Sequence, residues 1–355
     1  MIKKIIKILL IIFLIIVLAI LYLSIFGVKT DKFNNQISNN ILKVNKKLNL
    51  SLEGVNYLLN PYNFTINIKT TNPQILLEGR NLEINDIQTN IALKSIINDQ
   101  FSIDDMQITT KEIKVNDIIA LLRIFKNSPK LFILNTFIKD GFVTVNLNLN
   151  FDEKGNIKED YKISGSIKKV KINILNQVKL QNLNLNFNLN KSTYSLKRID
   201  MKVNNIKITS PLIEIEKNKN SFFVKGQLLN DNNNFDIEEF KAIFSNLFNI
   251  IDIRKMKFSS KNNFSFNVNE SLKFDNFKVE SIVDLNQLII KQKNLKLKPY
   301  LPSFVEEVKL EEHKIFINYN KNKFDIRGNG NILLEDKVDT LSYHIIKDNI
   351  NFFFD

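Results

Sequence analysis

Cysteine is absent from the 355 residues, which excludes a disulfide framework and any thiolate metal site. Glycine (9) and proline (6) are scarce, which argues against linkers, tight hairpins and phosphate-cradling loops. Histidine occurs twice, at His313 and His344. Charged or strand-forming residues flank each, so both read as surface positions rather than ligands.

The remaining catalytic patterns fail on spacing or on context. Glu311-Glu312-His313 lacks the second histidine of a metalloprotease helix. Ser166 and Lys169 match S-x-x-K, but that motif needs a helix and SGSIKKVKINI is patterned as a strand. Gly328-Asn329-Gly330 precedes neither a third glycine nor a helix, so it is no dinucleotide loop. Asp104-Asp105 and Glu306-Glu307 are adjacent carboxylates that a strand points to opposite faces. Asn63-Phe64-Thr65 and Asn263-Phe264-Ser265 fit a glycosylation sequon, which is frequent in any asparagine-rich chain. The expectation is a protein that is no enzyme and carries no cofactor.

Ile8 to Phe26, ILLIIFLIIVLAILYLSIF, is the one long apolar run, with no charge and Ser24 as its clearly polar residue. As a helix it spans roughly 28 Å, close to the ~30 Å hydrocarbon core of a bilayer. A cleaved signal peptide has a shorter core and a small-x-small site, whereas Ser24-Ile25-Phe26-Gly27 is a poor one. The run therefore reads as an uncleaved anchor. Lys3, Lys4 and Lys7 favour a cytoplasmic N-terminus and a translocated body, a bias that Lys29 and Lys32 weaken.

The net charge is +13, with a pI near 9.5. Its lysines are scattered through strands, with no tight basic block or basic helix, so nucleic acid is not the expected partner. Solvated strand faces account for them, and attraction to anionic lipid headgroups is the better use of what remains.

After the anchor, Thr30 can cap a stalk helix carrying Phe33, Ile37, Ile41 and Val44 at helical spacing. Short strands follow from Leu48, with Phe64, Ile66 and Ile68 alternating against Thr65, Asn67 and Lys69. Asn116-Asp117 opens an apolar helix, and Pro129 suits the first turn of a second one, closed by Asp140-Gly141. The β pattern is strongest from Phe142 to Asn190, where Val143, Val145, Leu147, Leu149 and Phe151 alternate with Thr144, Asn146, Asn148 and Asn150. Leu183, Leu185, Phe187 and Leu189 repeat it against Asn184, Asn186, Asn188 and Asn190. Period 2 means one apolar face, one wet face and antiparallel pairing. One amphipathic helix, capped at Asn234 or Asp236, carries Phe240, Ile243, Phe244, Leu247 and Phe248 and reads as a plug on one end of a sheet. Strands then resume from Lys255, ending in Asn351 to Asp355.

The predicted fold is mainly β: an elongated, twisted antiparallel sheet, groove-like, with a few short helices. Its parts are the tip and anchor (1–28), a helical stalk (29–47) and a β-rich body (48–355). Each apolar strand face must be covered. Two sheets can cover each other as a sandwich, or one curved sheet can stay open and hold acyl chains.

The order of features resembles the AsmA-like family of envelope proteins, of the AsmA, YhdP and TamB types. The likeness lies in the anchor, the helix Phe33 to Val44, LNLSLEGVNYLLNPYNFTINIKTTNPQILLEGRNLEIND, and FSIDDMQITTKEIKVNDIIALLRI leading into an apolar helix. It covers roughly the first 190 residues and is a likeness of pattern. It implies a single-pass protein of the bacterial inner membrane, a periplasmic β-groove, and a role in phospholipid transport or outer-membrane homeostasis. On that reading Val145, Leu147, Leu149, Ile163, Leu183, Leu185 and Phe187 line the groove, with membrane phospholipid as partner. The alternatives are a non-enzymatic assembly or scaffold factor binding an envelope protein through a sheet edge, and a short lipopolysaccharide-export bridge.

Overall fold

The computed structural model describes residues 2–31, 34–35, 48–77, 80–93, 103–125, 128–152, 158–174, 178–204, 206–231, 237, 252–269, 271, 273–291, 307–321, 323–334, 337–347 and 352–354. The chain divides into two units, residues 1–135 with 142–166, and residues 136–141 with 167–355. It is mainly β, as the alternation predicts, and every described strand register is antiparallel.

The first unit begins with helix α1 (Ile2–Ile25), which holds the one stretch among the described residues long and apolar enough to cross a membrane, Ile6–Ile25. The helix ends at Gly27, whose φ of 67° sets the left-handed turn favoured there, and the amides of Phe26 and Gly27 both donate to Tyr22 O. A side chain at Gly27 would strike the carbonyl of Tyr57. The chain passes directly into strand β1 (Val28–Thr30), which pairs with β3 (Gly54–Asn60). Residues 28–30 are strand, because the Gly27 turn delivers them to an open edge of β3, and the described stalk residues 34–35 are helical. Most of the stalk, 32–33 and 36–47, lies outside the described residues.

From there β3 pairs with β4 (Thr65–Thr71), β4 with β6 (Arg80–Ala92), β6 with β7 (Ile103–Thr110), and β7 with β9 (Ile138–Asn150). Strands β2 (Leu48–Ser51) and β5 (Gln74–Leu77) pair together, and β5 lies on the first residues of β6. A short β8 (Ile113–Lys114) lies on β9, and β10 (Lys162–Ile174) follows on its other side. Helices α2 (Val115–Phe125) and α3 (Pro129–Phe137) sit where Asn116-Asp117 and Pro129 predict them. Leu82 and Ile113 form a buried cluster with Ile75, Ile118, Ala120 and Leu121, which seats α2 on the strands. Burying Leu82 and Ile113 is worth roughly 1.5–3 kcal/mol each. Strand β9 starts at Ile138, so Asp140-Gly141 lies inside a strand and does not close the helix as expected.

Asparagine explains how so polar a chain makes sheet. On the wet face Asn67 Nδ2 donates to Asn90 Oδ1 (3.0 Å), and Asn90 Nδ2 donates to Asp105 Oδ2 (3.2 Å). These are cross-strand partners, so a side-chain ladder runs parallel to the backbone one. Its low β propensity is offset by that pairing.

The second unit carries a meander in which each strand pairs with the next. These are β11 (Val178–Leu189), β12 (Thr193–Val203), β13 (Ile206–Lys217), β14 (Ser221–Asn230) and β15 (Asp252–Asn269). β16 (Phe274–Lys291), β17 (Glu307–Asn320), β18 (Lys323–Leu334), β19 (Lys337–Lys347) and β20 (Phe352–Phe354) complete it. The predicted terminal strand is thus present as β20. The amphipathic helix predicted around Phe240 to Phe248 lies outside the described residues.

Short turns join several of these strands, although scarce glycine argues against them. Asparagine takes glycine's place. Asn190 Oδ1 accepts from the Ser192 and Thr193 amides and from Thr193 Oγ1, and Asn269 Oδ1 accepts from the Ser271 and Lys273 amides. Asn72 and Asn204 adopt positive φ, which asparagine tolerates better than most residues. Positive φ also falls inside strands at Lys169, Asn182, Arg198, Asn276 and Glu312. Register shifts accompany them at Gln181/Asn184, Asn184/Asn186, Ser265/Asn267 and Glu311/Lys314, the mark of β-bulges that add twist.

Candidate functional site: the apolar sheet faces

In the first unit the registers align Tyr57, Ile68, Thr89, Met106 and Leu149 in one row and Ile87, Ile108 and Leu147 in the next. Thr144 Oγ1 and Ser166 Oγ lie 2.8 Å apart on the other, polar face. Alternation therefore puts Val145, Leu147, Leu149 and Ile163 together on the apolar face, and all four are partly buried. Ser166, half of the S-x-x-K pattern, is committed to that strand-to-strand contact, and Lys169 sits in a bulge whose amide donates to Asn184 Oδ1.

In the second unit Phe187, Leu196 and Ile213 form one row, and Leu189, Tyr194, Ile215, Val224 and Phe266 another. Leu183, Leu185 and Phe187 share this face, but not equally. Leu185 and Phe187 are each 8% exposed, whereas Leu183 is partly buried. Both units thus present one apolar face made of half-covered side chains.

Sequence reasoning missed the aromatic part of this face. Phe264 and Phe266 stack at 6.0 Å, Phe266 meets Phe277 at 6.0 Å, Phe277 meets Tyr319 at 5.9 Å, and Tyr319 meets Phe324 at 4.6 Å. Tyr194 and Phe222 make a further pair at 6.3 Å. Most of these rings lie near the turns joining β11 to β12, β13 to β14, β15 to β16 and β17 to β18, along one margin of the meander. Phe274, Phe277 and Phe324 remain 66%, 43% and 40% exposed. The alternation in NNFSFNVN and KIFINYN was the available signal for three of them, Phe264, Phe266 and Tyr319. Phe277 alternates with Val279 on this face, and the bulge at Asn276 brings Phe274 onto it as well.

The opposite face of β15 to β19 holds an open hollow of about 1160 Å³, lined by Lys261, Glu280, Phe316, Asp325, Arg327 and His344 among others. Arg327 grips Asp325 with two hydrogen bonds, Nε to Oδ1 at 3.1 Å and Nη2 to Oδ2 at 3.0 Å, and His344 Nε2 lies 3.0 Å from Oδ1. The arrangement can hydrogen-bond a polar ligand, with the exposed Ile282–Phe316 pair as an apolar floor. Among the described residues no group of three or more His, Asp or Glu is arranged to hold a metal ion.

The Arg327 hydrogen bonds hold the Asp325 carboxyl below the ordinary carboxylate range, with His344 adding to the effect. Lys309, then Gln287, does the same for Glu311. A depressed folded-state pKa stabilises above the unfolded value and loses that contribution as pH falls through the folded one. The urea midpoint should therefore hold steady from neutrality down to about pH 5 and fall below about pH 4. Asp325→Asn should flatten part of that fall. Equal acid slopes for wild type and variant would show that the Arg327 pair contributes nothing.

The histidines differ from the surface positions expected. His313 is 1% exposed, its Nε2 bonded to Asn331 O at 3.0 Å and its Nδ1 unpartnered. His313 alternates with Ile315, Ile317 and Tyr319 and so lies on the apolar face, opposite Leu285, while the bulge at Glu312 brings Leu310 onto that same face. His344 is partly buried beside Asp325. No protein-family model, curated protein or solved structure matches the chain.

Proposed function

We propose that the chain is a membrane-anchored, non-enzymatic β protein whose apolar sheet faces shield phospholipid acyl chains. On this reading it is an AsmA-like protein of the bacterial inner membrane, its body periplasmic, serving phospholipid transport or outer-membrane homeostasis. The observation that carries the reading is the aromatic margin of β15 to β18. Phe277 and Phe324 keep about two-fifths of their surface exposed beside half-covered Phe266 and Tyr319. Such a continuous strip fits an apolar ligand better than water. The polar groups opposite would stay hydrated while tails lie on the apolar side.

The test is photocrosslinking in cells of the full chain with p-benzoylphenylalanine at Phe277, at Phe324 and, as a control, at Asn318 in the polar hollow. Phospholipid adducts at the first two positions and none at Asn318 are expected. Protein adducts alone at Phe277 and Phe324 would favour a scaffold, and no lipid adduct at either would overturn the proposal.

A further inference from the structure

The geometry points to the β3–β4 turn, Pro61 to Phe64, as a second membrane contact, set into the lipid interface beside the anchor. This rests on the reading of α1 as a membrane span and not on the lipid-shielding proposal.

The direction of β3 carries the argument. Val28, three residues beyond the end of α1, pairs with Tyr57, and Thr30 pairs with Val55. As β1 leaves the anchor, β3 therefore runs back towards it. The end of α1 lies against β3, and the space at Gly27 is closed by Asn56, Tyr57 and Leu58. Beyond Tyr57 the strand continues to Asn60, roughly 10 Å at ~3.3 Å per residue. That distance returns the turn to the level of the last turns of α1, since ~10 Å is about seven helical residues. Tyr22 and Phe26 are there, with ring centroids 5.3 Å apart.

The turn carries the right chemistry for that depth. Tyr62 is 93% exposed and Phe64 72%, more than any other large apolar side chain among the described residues, those of α1 included. Phe64 is also held at φ 52°, an uncommon conformation for an aromatic residue, while its carbonyl accepts from the Leu93 amide at 2.8 Å. A loop that needed only to turn in water has no use for two splayed rings there. Aromatic side chains with one polar end concentrate at the bilayer interface, which suits Tyr22 and Tyr62, while the neighbouring Phe26 and Phe64 rings suit the acyl side of it. Lys29, in β1, stands just outside these rings, where anionic headgroups lie. The occupant is thus the lipid surface itself, and the hairpin fixes the body's tilt on the membrane.

The chain has no tryptophan, so one introduced tryptophan reports its own position. The full chain would be reconstituted in phosphatidylcholine–phosphatidylglycerol vesicles whose acyl chains are brominated, as Tyr62→Trp, Tyr22→Trp and Phe132→Trp. Phe132 lies on α3, which feeds the opposite end of these strands. Tyr22→Trp and Tyr62→Trp should each lose roughly half of their emission, as interfacial rings do, with Phe132→Trp unquenched. An unquenched Tyr62→Trp beside a quenched Tyr22→Trp would overturn the proposal and leave the anchor standing. An unquenched Tyr22→Trp would overturn both.

Discussion

Gly330→Val should destabilise the chain by about 3 kcal/mol, the upper part of the range for overpacking a filled site. A Cβ at Gly330 would lie 2.5 Å from His313 Cγ and 2.6 Å from its Cα, so backbone as well as ring stands in the way. The imidazole cannot swing clear, because Nε2 is bonded to Asn331 O and the ring packs against Tyr343 at 5.8 Å. The paired change His313→Ala with Gly330→Val should recover only part of the loss, since the clash with the main chain at position 313 remains. Urea unfolding followed by circular dichroism checks both. A Gly330→Val protein as stable as wild type would mean that His313 does not lie over this glycine. A short glycine run that matches no nucleotide loop thus has a packing explanation.

Leu185→Asp should cost at least about 3 kcal/mol and is expected to unfold much of the second unit, because it places a carboxylate where only 8% of leucine is exposed. The neighbouring side chains of its face, Phe187, Ile199 and Met201, offer no hydrogen-bond donor to compensate. The measurement is again a urea midpoint, with Leu183→Asp alongside. Leu183 is more open, so its aspartate can reach water and should cost less. A stable, cooperative Leu185→Asp would show that this stretch of the face is open. Loss of lipid in Leu185→Asp would therefore confound folding with binding, and Phe277→Ser or Phe324→Ser, at 43% and 40% exposure, separate the two.

Secondary structure was legible in the sequence wherever one rule governed a long stretch. Nineteen uncharged residues from Ile8 to Phe26 make a helix in any setting, because unpaired backbone is costly in an apolar environment. Apolar residues at every second position from Val143 to Leu149 and from Leu183 to Leu189 assigned those side chains to one face before any partner strand was known. Asn116-Asp117 and Pro129 marked two helix starts by capping chemistry that acts within one turn.

Other features depend on strands far apart in sequence and emerge only when those strands pair. A bulge shifts alternation by one residue, and its position answers to the neighbouring strand's register, so the arrival of Leu310 on the face of His313 and of Phe274 on the face of Phe277 could not be read locally. The same holds for asparagine. Alone it reads as a poor strand former, and only when Asn67, Asn90 and Asp105 come level does its amide become a cross-strand bond. Thr30 lies in β1 for the same reason, since its pairing depends on an open β3 edge that begins 24 residues later at Gly54. Short-range rules chose the elements and their apolar faces; long-range pairing chose which side chains those faces bury and which they leave open.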